Sequence, residues 1–218
     1  YRDAFNFYLP FLRNGLLAGI VFADNSASDV SLLRALANVH DAGARAEILS
    51  FDGLDYPPSH GRCYGEFRLI DTVVERSQIL QRATEDAAIW KVTGRYVLRN
   101  FEAILRTRPP WADLYCHCRN IPMRWIDLYV LSWNARGYEQ ILKGIYQQLK
   151  QDEVGGSAEQ AFRRIVDEND GKAKIVKRFR ALPRLEGYRG FDNRRYEHMG
   201  AKFLLRRIAN TLAPWLWV

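Results

Sequence analysis

The first half of the chain switches repeatedly between two hydrophobic periods, and that switching limits the folds open to it. Three short apolar runs, Gly19–Ala23, Ala46–Phe51 and Ala87–Val92, end in polar residues and read as buried strands. Between them lie segments with apolar residues at helical spacing. Phe5, Tyr8, Leu9 and Leu12 mark a helix over 3–14, and Val30, Leu33, Leu36, Ala37 and Val39 mark another over 28–42. Ser28 is expected to cap this second helix and Gly43 to stop it. Phe67, Ile70, Val73, Val74 and Leu80 define a helix over 64–82, and a shorter one is expected over 98–106. Strands alternating with helices predict an α/β fold with a mostly parallel sheet covered by helices.

The second half is less regular and turns the expected sheet into a mixed one. Strands are expected at 112–118 and 127–133, a helix at 138–150 and a linker at 152–156. Ser157 and Gln160 have capping-box spacing at the start of a further helix. A strand over 173–182, an irregular stretch over 183–200 and a basic helix over 201–212 complete the reading. The 218 residues, 48% of them hydrophobic, suit a single domain with a substantial core. No apolar run reaches the roughly 20 residues that span a bilayer.

A net charge of +7 favours an anionic partner, either a nucleotide phosphate, a nucleic acid or an acidic membrane face. The cations crowd the C-terminal part, from Lys172 to Arg207. Three cysteines, an odd and sparse set, argue against a disulfide framework and for a reducing compartment. Cys116-His117-Cys118 has no second ligand pair to complete a zinc site. On a strand Cys116 and Cys118 share one face while His117 points to the other, so strand packing is the preferred reading.

In open α/β sheets ligands sit outside the carboxyl ends of the strands. Three polar clusters fall at or beside such ends. Asp24, Asn25 and Ser26 suit a ribose or base edge, or equally an Asx turn with a helix cap. In Gly61-Arg62-Cys63-Tyr64-Gly65-Glu66 the glycines allow close backbone approach, Arg62 suits a phosphate, Tyr64 a ring and Glu66 a sugar hydroxyl, or else its own helix start. The cluster is neither a Walker loop nor GxGxxG. The third runs from Lys91 through Thr93, Gly94, Arg95 and Tyr96, just past a strand and near a helix start. It combines backbone N–H groups with two cations for a phosphate, and its alternative is a plain turn.

In this order, a strand ending in an acidic-Asn-Ser turn, then Gly-x-x-Tyr-Gly-Glu, then Trp-Lys-Val-Thr-Gly-Arg-Tyr-x-x-x-Asn, the motifs resemble bacterial GT-A-type glycosyltransferases of polysaccharide and lipopolysaccharide biosynthesis. Those proteins show GKGYGE where this chain has residues 61–66, and K-[IV]-TGRY where it has Lys91–Tyr96. The likeness covers roughly residues 1–135, with an echo at Pro183–Gly190. It implies a GT-A-like, Rossmann-like sheet, a nucleotide-sugar donor and a saccharide or lipid-linked acceptor. It also implies a first strand upstream of Tyr1. The family's Asp-x-Asp metal motif is absent, so transfer without a bound metal or other cofactor is expected, with Lys91 and Arg95 supplying the positive charge.

An inverting transferase needs a base for the acceptor hydroxyl. Asp127, beside Trp125, is the first candidate, followed by Glu186 and His198, while a retaining mechanism has no such need. Asp127 as a turn residue is the alternative. Residues 202–208 mix cations with apolar residues, and Trp215-Leu216-Trp217 follows. This suits an interfacial helix on an anionic membrane, or a helix packed on the core. A cytoplasmic protein, peripheral on the inner face of the membrane, is expected. The competing classes are another phosphate-ligand enzyme, such as a nucleotidyl- or sulfotransferase, and a nucleic-acid-binding domain. The sequence carries no RRM, KH, zinc-finger or helix-turn-helix signature, so no nucleic-acid partner is expected.

Overall fold

The computed structural model describes residues 1–187 and 201–212, and within them the chain has a mixed α/β architecture of parallel and mixed sheets with helices. It divides into two compact units, Tyr1–Thr84 with Leu142–Ala158, and Glu85–Ile141 with Glu159–Val218. No helix among the described residues is long and apolar enough to cross a membrane.

In the first unit the 3–14 segment forms two short helices, α1 (Arg2–Tyr8) and α2 (Pro10–Arg13). Pro10 has no N–H for a continuous helical ladder but is well placed in the first turn of a new helix. β1 (Ile20–Asp24) pairs in parallel with β2 (Ala46–Ser50), with Asp24 opposite Ser50. Their connection carries α3 (Ser31–Val39). Phe5, Leu9, Leu12, Leu33 and Ala37 form the core of this layer, with Ile20, Phe22 and Ile48 packed against it. Ser28 does not cap α3. Asp29 does that work, its carboxylate accepting from the Ser31 N–H at 2.8 Å and hydroxyl at 2.9 Å. The 64–82 segment is longer than expected and broken once, into α4 (Gly61–Arg76) and α5 (Gln78–Gln81). Ser77 sits extended at the break and caps α5 by accepting from the Leu80 N–H at 3.2 Å.

The second unit is built on a four-stranded sheet in the order β3 (Ile89–Val92), β6 (Trp125–Trp133), β5 (Leu114–Arg119), β7 (Ile175–Val176). This sheet is mixed, as expected once the second half is included, although β3 does not join β1 and β2 in a parallel sheet. β3 runs antiparallel to β6, as does β5, and only β5 and β7 are parallel. The five-residue link from Asn120 to Arg124 is too short for a crossover and allows only an antiparallel pair. A second small sheet joins β4 (Tyr96–Leu98) to β8 (Leu185–Gly187) antiparallel. The helices of this unit are α6 (Phe101–Arg106), α7 (Ala135–Gly137), α8 (Ala158–Glu168, whose first residue belongs to the first unit) and α9 (Ala201–Leu212). The 138–150 segment is a π turn at Tyr138–Leu142 followed by a 3-10 turn at Ile145–Gln148, divided by Gly144 in the left-handed region. The expected strand over 173–182 shrinks to Ile175–Val176.

A buried polar network ties this sheet together. Asp113, at the foot of β5, accepts from the Asn134 amide at 3.1 Å and from the Lys174 N–H at 2.9 Å. Asn134 in turn caps α7, accepting from the Gly137 N–H at 2.9 Å. Gly137 admits no side chain, because a Cβ there would stand 2.0 Å from the Asp113 carbonyl oxygen.

Candidate functional site

Strand-end chemistry is present in the first unit. Beyond the carboxyl ends of β1 and β2 lies a cavity of about 180 Å³ lined by Asn25, Phe51, Asp52, Asp55, Arg68, Thr72 and Arg76, among others. Arg68, Thr72 and Arg76 are spaced by four along α4 and so share one face of the helix. Arg68 grips Asp55 with two bonds, of 2.7 and 3.2 Å. That hydrogen bond raises the Arg68 guanidinium pKa and lowers that of the Asp55 carboxyl. Arg76 lies over the Phe51 ring, 4.9 Å from its centroid, and pairs with no carboxylate among the described residues. The lining thus offers amide and carboxylate groups for a base or ribose and guanidinium groups for an anion.

Of the Asp24, Asn25 and Ser26 cluster, Asn25 lines this cavity. Asp24 is absorbed by its own turn, accepting from the N–H of Ser26 at 3.2 Å, the hydroxyl of Ser26 at 2.9 Å and the N–H of Ser28 at 3.1 Å. Ser26 adds a 2.6 Å bond to the Ser28 hydroxyl. For these two residues the turn reading prevails.

Gly61 to Glu66 form the first turns of α4. Gly61, at φ 78°, starts the helix in the left-handed region. Tyr64 is buried in an aromatic cluster, its ring centroid 4.7 Å from His60, 4.9 Å from Tyr56 and 5.1 Å from Tyr146. Gly65 lets Tyr56 pack closely, since a Cβ there would fall 1.9 Å from the Tyr56 hydroxyl and push it aside. The close approach that this glycine permits is therefore to Tyr56. Arg62 is exposed and Glu66 partly exposed on the helix surface.

Beside this helix start one group of potential metal ligands converges, which the sequence reading missed. Ligand atoms of His60, Asp152 and Glu153 lie within 4.8 Å of one another. They come from segments some ninety residues apart, so no local spacing announces them. His60 Nδ1 is buried without a hydrogen-bond partner. The carboxylates have partners that need no ion. Lys150 pairs with Glu153 at 3.0 Å, and a hydrogen bond from Ser59 lowers the Asp152 pKa. Both acids also lie near the positive end of α4.

In the second unit, Lys91 to Tyr96 lie farther from a helix start than expected. Thr93 to Tyr96 form a turn, with the Tyr96 N–H donating to the Thr93 carbonyl at 3.0 Å, and the chain then enters β4. α6 begins only at Phe101, so helix-start N–H groups do not contribute here. Lys91 donates to the Thr93 hydroxyl at 3.0 Å and to the Leu128 carbonyl. Gly94 occupies the turn between them and Arg95. Arg95 differs from its neighbours in that its buried Nε has no hydrogen-bond partner, an unmet donor that an anion would satisfy.

Pairing register brings Lys91 together with residues that sequence distance kept apart. Lys91 opposes Leu131, His117 opposes Asp127 and Arg119 opposes Trp125, so alternation puts Lys91, His117, Arg119, Asp127 and Tyr129 on one face of the sheet. Asp127 is buried, accepting from Arg119 and, at 3.1 Å, from the Tyr129 hydroxyl. Arg206 of α9 is partly buried beside Arg119, Asp127 and Tyr129. His117 is buried with its Nδ1 accepting from the Phe179 N–H at 3.4 Å, and burial lowers its pKa to about 4, against the attraction of Asp127. It is therefore a neutral imidazole at physiological pH. Cys116 and Cys118 share the opposite face, as the strand reading expected, with their sulfurs 3.8 Å apart and the Cys116 thiol pKa raised by its bond to Cys118 and by burial. Glu186, the second base candidate, forms an ion pair with Arg99 at 2.5 Å. His198 and the Trp215–Trp217 tail lie outside the described residues.

No protein-family model, no curated protein and no solved structure matches this chain.

Proposed function

We propose that this protein is a glycosyltransferase that moves a sugar from a nucleotide-sugar donor to a saccharide or lipid-linked acceptor. The observation that carries the reading is the Arg-bearing polar cavity beyond the carboxyl ends of β1 and β2, the place where open α/β sheets bind nucleotides. Asn25, Asp52 and Thr72 suit the nucleoside's polar edges, and Arg76 suits its phosphate. The Thr93-Gly94-Arg95-Tyr96 likeness adds the sugar-transfer class and a GT-A-like fold to the reading.

The chemistry needs three things. The acceptor hydroxyl loses its proton, its oxygen forms a bond to the sugar's anomeric carbon, and the bond from that carbon to the nucleotide phosphate breaks. Lys91 and Arg95 are the cations proposed to stabilise the departing phosphate in place of a metal. In an inverting enzyme Asp127 would take the proton. Its oxygens already accept from Arg119 and Tyr129, and each keeps a further lone pair for the acceptor. A lipid-linked acceptor would be met at the cytoplasmic face of a membrane, with the protein peripheral to it.

Thermal-shift screening against UDP, GDP, CMP, a sulfonucleotide and a short oligonucleotide tests the reading. Stabilisation by UDP or GDP is expected, because a ligand bound only by the folded chain raises its melting temperature. A response to the sulfonucleotide alone would transfer the reading to a sulfotransferase, and a response to oligonucleotides alone would replace it with nucleic-acid binding.

A further inference from the structure

α9 is built the opposite way round from a helix that packs on a core. Leu204, Leu205, Ile208 and Leu212 are 56, 65, 45 and 72% exposed. At about 100° per residue these four fall within one arc of about 100° on the helix. The far side carries Arg206, partly buried beside Arg119, Asp127 and Tyr129. The helix therefore gives a cation to the protein and its leucines to the surroundings. A continuous apolar stripe on a surface marks a docking face.

Charge decides what docks. Residues 201–218 contain Lys202, Arg206 and Arg207 and no acidic residue. On the helical wheel Lys202 and Arg207 fall at positions on either side of the apolar arc. A second copy of the chain, docked stripe to stripe about a two-fold axis, would bring these cations against their own duplicates. An anionic lipid surface instead offers an apolar layer for the leucines and phosphates for the cations at its edge.

We propose that α9 is a docking helix for anionic lipid bilayers, lying along the membrane surface with Leu204, Leu205, Ile208 and Leu212 inserted and the basic charge of the segment drawing it to anionic headgroups. The proposal rests on this helix and holds whatever reaction the protein catalyses.

Flotation of the full chain with vesicles tests it, using phosphatidylcholine alone and an equimolar mixture with phosphatidylglycerol. The wild type floats with the mixed vesicles and stays behind with the neutral ones, and raised salt weakens the binding. Leu205→Glu with Leu212→Glu puts charge into the inserted stripe and lowers partitioning by roughly tenfold or more. Far-UV circular dichroism and the melting temperature stay at wild-type values, because both leucines are exposed. Should that variant fail to fold, Lys202→Gln with Arg207→Gln provides the test, with binding to mixed vesicles reduced by roughly tenfold and no longer sensitive to salt. Equal flotation with both vesicle types, no flotation of the wild type, or wild-type flotation by whichever variant folds would overturn the proposal. So would sedimentation showing that the wild type self-associates through leucines the double-glutamate variant lacks, without binding vesicles.

Discussion

His117 makes a quantitative prediction, because burial outweighs the attraction of Asp127. It is 4% exposed, stacked on Phe179, and faces Arg119, Arg178 and Arg206 as well as Asp127. Burial is the main cause that lowers its pKa from 6.5 to about 4. The unfolded chain therefore binds more protons than the folded chain within that interval. Stability from this residue is fully present above 6.5, and it is lost as pH falls towards 4. Moving from about pH 7 to about pH 5 should cost about 2 kcal/mol, which for a chain of this length lowers the melting temperature by about 4 to 8 °C. In the His117→Asn variant the amide oxygen can keep the bond to the Phe179 N–H while the titration is removed. Urea unfolding of both proteins across this range isolates the effect, because the substitution removes the imidazole's titration. Wild type minus variant should fall by about 2 kcal/mol on acidification. Parallel curves would refute the assignment of a neutral, buried imidazole.

Four further outcomes follow from particular contacts. Asn134→Ala leaves the buried Asp113 carboxylate and the Gly137 N–H short of a partner and should cost about 2 to 3 kcal/mol in urea unfolding. Gly137→Ala drives a Cβ into the Asp113 backbone, which cannot rotate away, and should cost about 3 kcal/mol or prevent folding, as read by circular dichroism. Asp127→Asn should reduce sugar transfer by about 100-fold or more at unchanged donor binding, and wild-type turnover would remove Asp127 from the mechanism. Transfer should persist in a chelator, and a saturable requirement for Mn²⁺ or Mg²⁺ would defeat the proposed role of Lys91 and Arg95 and redirect attention to His60, Asp152 and Glu153.

Local pattern revealed the elements better than their partners. The apolar runs of β1, β2 and β3 were readable because burial leaves a direct trace in residue type. Which strand β3 would join was not, because pairing with β6 is set by contacts some forty residues away. For the same reason the polar face that joins Lys91, His117 and Asp127 is invisible in the linear order, although His117 was correctly set opposite in direction to its flanking cysteines. Other gaps were avoidable. The four-residue spacing of Arg68, Thr72 and Arg76 stands in the sequence as a polar stripe along one face of the helix. The Gly61–Glu66 residues drew attention as ligand contacts, whereas Tyr64 and Gly65 are explained by packing with Tyr56. Neither role can be separated from the other by residue type alone.

The most direct measurement of the central claim is isothermal titration of UDP and of GDP into the wild type, Arg76→Ala and Arg95→Ala. Arg76 tests the strand-end cavity, and Arg95 tests the unmet donor of the second unit. Saturable binding of one nucleotide to the wild type is predicted, weakened roughly tenfold or more by Arg76→Ala, since a lost charge-assisted bond costs about 1.5 to 3 kcal/mol, while Arg95→Ala reports on the second unit by itself. Binding untouched by Arg76→Ala, or no binding of either nucleotide to the folded wild type, would contradict it.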